Sequence, residues 1–180
     1  MKKIVLRYGL IAGVIVVAMM FATMPFVMND TLKHSELLGY TTMVIALSTI
    51  FIAVRNYRDK QSNGTIKFGK AFLIGLYITL IAGVLYAIGW EVYMAVSGTD
   101  MQEFARSYID GEIEKLQKAG ASAKEISSFR EDAQANMEMM NNPVLRFLFV
   151  MFMELFPVGL IISLISAALL RKKEVLPAKA

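Results

Sequence analysis

Residues Ala71–Trp90 read AFLIGLYITLIAGVLYAIGW, twenty residues without a charge between Lys70 and Glu91. At about 1.5 Å of rise per residue, a helix of this length reaches roughly 30 Å, the thickness of a bilayer's hydrocarbon core. Backbone N–H and C=O groups find no water there, so such a run has to be helical. Small residues recur along it every four positions, at Ala71, Gly75, Thr79, Gly83 and Ala87. In lipid no hydrophobic force draws helices together, and a stripe of this kind lets backbones approach closely. The run is therefore expected to be the central contact of a bundle.

Three further runs flank it. Tyr8 to Met28 holds 21 uncharged residues, Leu37 to Val54 holds 18, and Phe147 to Leu170 holds 24 with Glu154 as the only interruption. Gly9 and Gly13 on the first, and Gly159, Ser163 and Ala167 on the last, repeat the four-residue spacing. These blocks account for a chain of 180 residues that is 56% hydrophobic and only 19% charged, against about 25% charged in soluble domains. That balance excludes intrinsic disorder, which needs low hydrophobicity and high charge. With no cysteine, it also excludes a disulfide-stapled secreted domain, thiol catalysis and iron–sulfur clusters. The first run is too long for the apolar region of a signal peptide and ends without a small-residue cleavage site, so it reads as a retained helix. The expected fold is an all-α integral membrane protein, one membrane domain over residues 1–180, with spans near 5–28, 37–55, 68–95 and 144–170.

Charge predicts its orientation. Lys2, Lys3 and Arg7, then Arg55, Arg58, Lys60, Lys67 and Lys70, then Arg171, Lys172, Lys173 and Lys179 make up 12 of the 19 Lys and Arg, opposed only by Asp59 and Glu174. The loops on the other side, Asn29 to Glu36 and Ser97 to Asn142, are net acidic. Cytoplasmic loops carry the Lys/Arg excess, so both termini are expected inside. The basic pI then belongs to topology and to anionic lipid headgroups rather than to nucleic acid. Asn63-Gly64 supplies the turn of the basic inner loop.

The third loop, residues 99–142, is predicted to form an amphipathic helical hairpin on the outer side. Thr99-Asp100-Met101-Gln102 and Ser122-Ala123-Lys124-Glu125 both fit capping boxes. Met101, Phe104, Ala105, Tyr108, Ile109, Ile113 and Leu116, then Ile126, Phe129, Ala133, Met137 and Met140, recur at helical spacing around Gly120. Asp100, Glu103, Asp110, Glu112, Glu114, Glu125, Glu131, Asp132 and Glu138 make the opposite face acidic. Asn142-Pro143 supplies a cap and a first-turn proline for the fourth span. The stripes either pack on one another or dock a membrane-protein partner or a second copy.

From Leu38 the chain reads LGYTTMVIA, then FIAVRNYRD at 51–59, NGTIKFGKAF at 63–72 and WEVY at 90–93. The fourth span carries ELFPVGL at 154–160 and SLISA at 163–167. Over nearly its whole length the chain resembles the bacterial four-helix membrane family labelled domain of unknown function 4199. The resemblance implies a four-span bacterial inner-membrane protein. It implies no activity, substrate or cofactor, and no catalytic residue is carried over.

Glu154 is the sharpest candidate for chemistry. It lies roughly 12 Å into the fourth span from Arg146 at helical rise. A carboxylate at such depth costs about 2.5–3.5 kcal/mol, so it is expected to face the bundle or water. Pro157 cannot donate to the carbonyl of Met153, which leaves an acceptor close to that carboxyl. By depth, Tyr40, Thr42 and Tyr86 are its expected partners. The group reads either as a packing lock or as a proton or ion site. Glu91, at the outer aromatic belt with Trp90 and Tyr93, is expected to pair with Arg146. His34 is the single histidine and makes no metal site alone. Met137, Met139 and Met140 are weak soft-metal candidates, and no EF-hand, Walker A, HExxH or GxSxG motif is present. No metal or cofactor is expected. The chain reads as non-enzymatic, a structural or accessory protein acting through protein–protein contacts, with a small transporter or ion- or proton-conducting protein as the alternative.

Overall fold

A computed structural model describes residues 1–28, 35–98 and 100–172. Its elements are α1 (Lys2–Met28), α2 (Ser35–Leu47), α3 (Thr49–Gln61), α4 (Phe68–Ser97), α5 (Met101–Lys118), α6 (Ala123–Met140), α7 (Pro143–Phe149), a π-helical segment (Val150–Leu155) and α8 (Phe156–Leu170). Four helical stretches are long and apolar enough to cross a membrane: Lys2–Phe26, Leu37–Gln61, Phe68–Ser97 and Pro143–Leu170. The protein is an all-α, multi-pass membrane protein. Asp30, Lys33, His34, Thr99, Lys173, Glu174 and Lys179 lie outside the described residues, as do the side chains of Glu36, Met101, Phe104, Glu138 and Met139.

The helices overrun the apolar runs that mark them. α3 continues six residues past Arg55, and α1 begins at Lys2. Loss of apolarity ends the fit to hydrocarbon, but the i→i−4 bonding that makes a helix persists into polar sequence. The second span also tightens at Ser48, whose carbonyl accepts from the Phe51 N–H at 3.1 Å while its hydroxyl donates to the Ile45 carbonyl at 2.6 Å.

By internal contacts the chain forms two compact units, one of Met1–Gly89 with the chain from Val150, the other of Trp90–Phe149. In the first, small residues share the interior with a set of large aliphatic ones, Leu47, Ile50, Ile74, Ile78 and Leu155. Ala12, Ala46, Ala53, Ala71, Ala82 and Ala167 are fully buried, as is Ser163, whereas Val14, Leu37, Ile52, Leu73, Ile161 and Leu169 face outward. Large apolar side chains on every spanning helix point away from the protein, an arrangement a soluble protein avoids. It provides a surface for lipid.

The close approaches occur where the small-residue stripes meet. A Cβ at Gly75 would stand 2.5 Å from Ser163 Oγ, and one at Gly159 would stand 2.8 Å from Thr79 Cβ. On the other flank of α4, a Cβ at Gly9 would lie 2.8 Å from Ile81 Cβ, and one at Gly89 would lie 2.8 Å from Val17 Cγ2. α4 is thus pressed against both α1 and α8. The Ser163 and Thr79 hydroxyls stay satisfied at these crossings by donating to Gly159 and Gly75 carbonyls of their own helices, at 2.6 and 3.0 Å.

In the second unit, α5 and α6 pack together across a turn. Asp100 caps α5 by accepting from the Gln102 N–H at 2.9 Å. At the other end Gly120 takes φ +80°, with the Gly120 N–H on the Gln117 carbonyl and the Ala121 N–H on that of Leu116, each at 3.0 Å. These are the two bonds of a Schellman motif. Ser122 and Glu125 cap α6 reciprocally: the Ser122 N–H donates to Glu125 Oε2 at 2.7 Å, and the Glu125 N–H donates to Ser122 Oγ at 3.3 Å. Asn142 Oδ1 accepts from the Val144 and Leu145 N–H groups ahead of Pro143. Of the predicted stripe, Ile113 is buried and Ile109, Leu116, Ile126 and Phe129 are half-buried, but Tyr108 is exposed.

Two predictions follow from this packing and capping. Gly159→Leu overpacks the α4–α8 crossing and should destabilise the protein by about 1–3 kcal/mol, read as a lower thermal midpoint in detergent. The same change at Gly111, where a Cβ meets nothing, should leave the midpoint nearly unchanged. The second concerns pH. The Ser122 N–H, and then its hydroxyl, hold the Glu125 carboxyl below the usual carboxylate range. A carboxylate depressed in the folded state adds stability above its unfolded value, about 4.3, and that stability is lost as pH falls through the folded value. Helicity by circular dichroism should therefore fall more steeply on acidification in the wild type than in Glu125→Gln.

Candidate functional site

Three polar features occupy the helices, each within one compact unit. The first centres on Glu154, in the π-helical stretch immediately before Pro157. The π segment widens the backbone to i→i+5 bonding, a local irregularity frequent at functional sites. Its residues Val150, Met151 and Leu155 are buried, with Met151 seated against Gly83. Glu154 is half-buried on the same segment. The buried Tyr86 of α4 donates its hydroxyl to Glu154 Oε2 at 2.9 Å. Of the other expected partners, Thr42 donates to the carbonyl of Gly39 in its own helix at 2.7 Å. A hydroxyl one turn above a carbonyl has that local acceptor available and needs no other. Tyr40 faces outward, 55% exposed, yet lies near enough to Tyr86 for the two to interact electrostatically. Pro157 is also exposed. The cluster is a half-buried carboxyl that accepts from the buried hydroxyl of Tyr86.

The second feature is the Glu91–Arg146 pair. Arg146 Nε donates to Glu91 Oε1 at 2.7 Å and Nη2 to Oε2 at 2.6 Å, while Nη1 donates to the Met140 carbonyl at 2.8 Å. The two parallel bonds form the bidentate fork in which Arg–carboxylate pairs are strongest. The side chains retain 15% and 32% exposure. One guanidinium therefore joins the last turns of α4, the end of α6 and the start of α7.

The third feature is the basic end of the first unit. Asn63 (φ 48°) and Gly64 (φ 76°) form the tight turn, closed by the Thr65 N–H on the Ser62 carbonyl at 2.9 Å. Beyond it, Ile66 and Lys172 exchange both backbone hydrogen bonds, each 3.0 Å, in an antiparallel bridge. Arg58 Nη1 reaches the Leu170 carbonyl at 3.5 Å, the Met1 ammonium donates to Gln61 Oε1 at 3.2 Å, and Asn56 donates to the Tyr8 hydroxyl. Asp59 pairs with Arg58 at 2.7 Å and with Arg55 at 3.7 Å, and Lys70 sits over the Tyr57 ring. Lys60 and Lys67 are exposed at the same end. Three separate parts of the chain thus bring their cations together.

Sequence reasoning passed over Arg106 and Arg130, which line one cleft between α5 and α6. The available signal was their position next to the apolar stripes, Arg106 three residues before Ile109 and Arg130 one after Phe129. Among the described residues, no group of three or more His, Cys, Asp or Glu is arranged to hold a metal ion.

These features define a class, a four-span helical membrane protein with polar groups set into and beside its bundle. Over residues 7–172 the chain matches the family described as protein of unknown function (DUF4199), and it belongs to that family. No curated protein and no solved structure matches it.

Removing either partner of a two-bond fork leaves a partly buried charge unmatched. Arg146→Gln should lower stability by about 1–3 kcal/mol, and a double-mutant cycle with Glu91→Gln should return a coupling of about 0.5–3 kcal/mol. Tyr86→Phe removes the donor to Glu154 and should cost about 1–3 kcal/mol, whereas Glu154→Gln keeps a carbonyl acceptor and should cost less. Thermal unfolding of the purified protein in detergent measures both.

Proposed function

We propose that this protein is a non-enzymatic structural or accessory component of a bacterial inner membrane, acting through contacts with another membrane protein or a second copy of itself. The observation that carries this reading is the closeness of its spanning helices. Gly75 against Ser163, Gly159 against Thr79, and Gly9 against Ile81 leave no room for a methyl group, let alone a solute. Such packing suits a rigid body that presents its outer faces rather than one that opens a path. Both termini lie on the cytoplasmic side in this reading. It is supported by the gathering of Arg55, Arg58, Lys60, Lys67 and Lys70 with Lys172 at one end and by the usual Lys/Arg excess of cytoplasmic loops. The same cations meet anionic headgroups, at about 1 kcal/mol each.

The chain has no native cysteine, so single replacements report cleanly. In intact spheroplasts, Gly111→Cys should react with a membrane-impermeant thiol reagent and Lys67→Cys should not; the reverse pattern overturns the topology. For the accessory role, crosslinking in native membranes from outward-facing Ile161→Cys should yield a discrete higher-mass species. Only uncrosslinked monomer from every outward face tested would overturn it.

One observation favours a second reading, proton or ion handling at Glu154. Its carboxyl is half-buried within a π segment and, among the described residues, accepts from the phenol of Tyr86. If that reading holds, purified protein in liposomes carries a proton-dependent flux that Glu154→Gln abolishes without loss of fold. Absence of flux in the wild type overturns it.

A further inference from the structure

Between α5 and α6 the second unit has an open cleft of about 460 Å³. Arg106 enters it from α5 and Arg130 from α6, together with the amides of Gln102, Gln134 and Asn141 and the carboxyl of Asp110. Elsewhere on α5 the cations are taken: Lys115 pairs with Glu112, and Lys118 with Glu114 at 2.6 Å. Among the described residues neither Arg106 nor Arg130 forms an ion pair. In a segment rich in Asp and Glu, two guanidiniums from facing helices line one cleft, and among the described residues neither is within ion-pair distance of a carboxylate, Asp110 of the same cleft included.

We propose that this cleft binds a phosphate ester, held by Arg106 and Arg130 from opposite sides. The donor supply selects the ligand. Each guanidinium presents a planar fork of N–H groups matched to two oxygens of one oxyanion. Two such forks with three side-chain amides exceed what the two oxygens of a carboxylate accept, and suit the three terminal oxygens of a phosphate. Asp110 then accepts from a protonated phosphate oxygen or from a hydroxyl of the ester. The volume falls within the range of small-molecule sites and is larger than phosphate alone requires, leaving space for an organic portion. A soluble phosphate ester and a phospholipid headgroup share this chemistry.

The test is isothermal titration of the full-length protein, purified in a phosphate-free detergent, with glycerol 3-phosphate and with inorganic phosphate. Saturable binding is expected, tighter for the ester. Arg106→Gln and Arg130→Gln should each weaken it tenfold or more, with circular dichroism unchanged. Lys118→Gln, which removes a cation outside the cleft, should leave it within twofold. Repeating the titration in phospholipid nanodiscs separates the sources: retained binding assigns the cleft to a soluble ester, and loss of binding assigns it to the headgroup. A response that never saturates, or one that Lys118→Gln weakens as much as Arg130→Gln, overturns the proposal. So does binding that survives the Arg106→Gln/Arg130→Gln double variant, while a variant that loses its helicity is replaced by Arg130→Lys, expected to bind more weakly but still saturably.

Discussion

Close approach of α4 to its neighbours is the constraint on which the first unit depends. With lipid tails as apolar as leucine, helices gain nothing by hiding aliphatic side chains from one another, and association rests on van der Waals contact and a few hydrogen bonds. Contact of that kind requires backbones near enough for side chains of one helix to meet the Cα atoms of the next. Glycine at 9, 75, 89 and 159 provides it. Alanine, glycine and serine fill the crossings, larger side chains such as Leu47, Ile50, Ile74 and Ile78 fill the interior between them, and further leucine, isoleucine and valine side chains face outward.

That constraint frames the polar groups. A carboxyl in the fourth span sits where the helix is widened, and the buried Tyr86 of the central helix supplies its donor. The irregularity and the proline belong together: Pro157 lacks the N–H that regular bonding would require, and the π segment that precedes it redistributes the backbone bonds. Arg146 and Glu91 solve a related problem with two full charges, each satisfied by the other and the remaining guanidinium nitrogen by a main-chain carbonyl.

Much of this was legible in the residues. Four runs, uncharged but for Glu154, identify the spans because lipid forbids unbonded backbone. The caps at Ser122 and Asn142 were readable because capping is a local exchange between a side chain and N–H groups within three residues. The small-residue stripe of α4 announced its central place. Other features were not legible, for physical reasons. Helix ends such as Gln61 extend past the apolar runs because helical bonding does not stop at a charge. Pro157 signals an interruption, but the six-residue π segment before it depends on how Val150, Met151 and Leu155 pack. Depth made Tyr40, Thr42 and Tyr86 equivalent candidates, and only rotation about the helix axes separates the inward Tyr86 from the outward Tyr40. Arg106 and Arg130 are 24 residues apart, and no local rule brings them to one cleft.

The backbone bridge between Ile66 and Lys172 bears on how the chain assembles. Its two partners are separated by more than a hundred residues, and closing so long a loop is an entropic cost met only when both ends are held nearby. Insertion proceeds from the N-terminus, so the residues around the Asn63-Gly64 turn wait with their backbone groups solvated while the third span, the α5–α6 pair and the fourth span are made. The bridge forms only once α8 has entered the bilayer and brought Lys172 alongside. It is a clasp that closes only after α8 is in place, joining the turn that follows α3 to the end of α8.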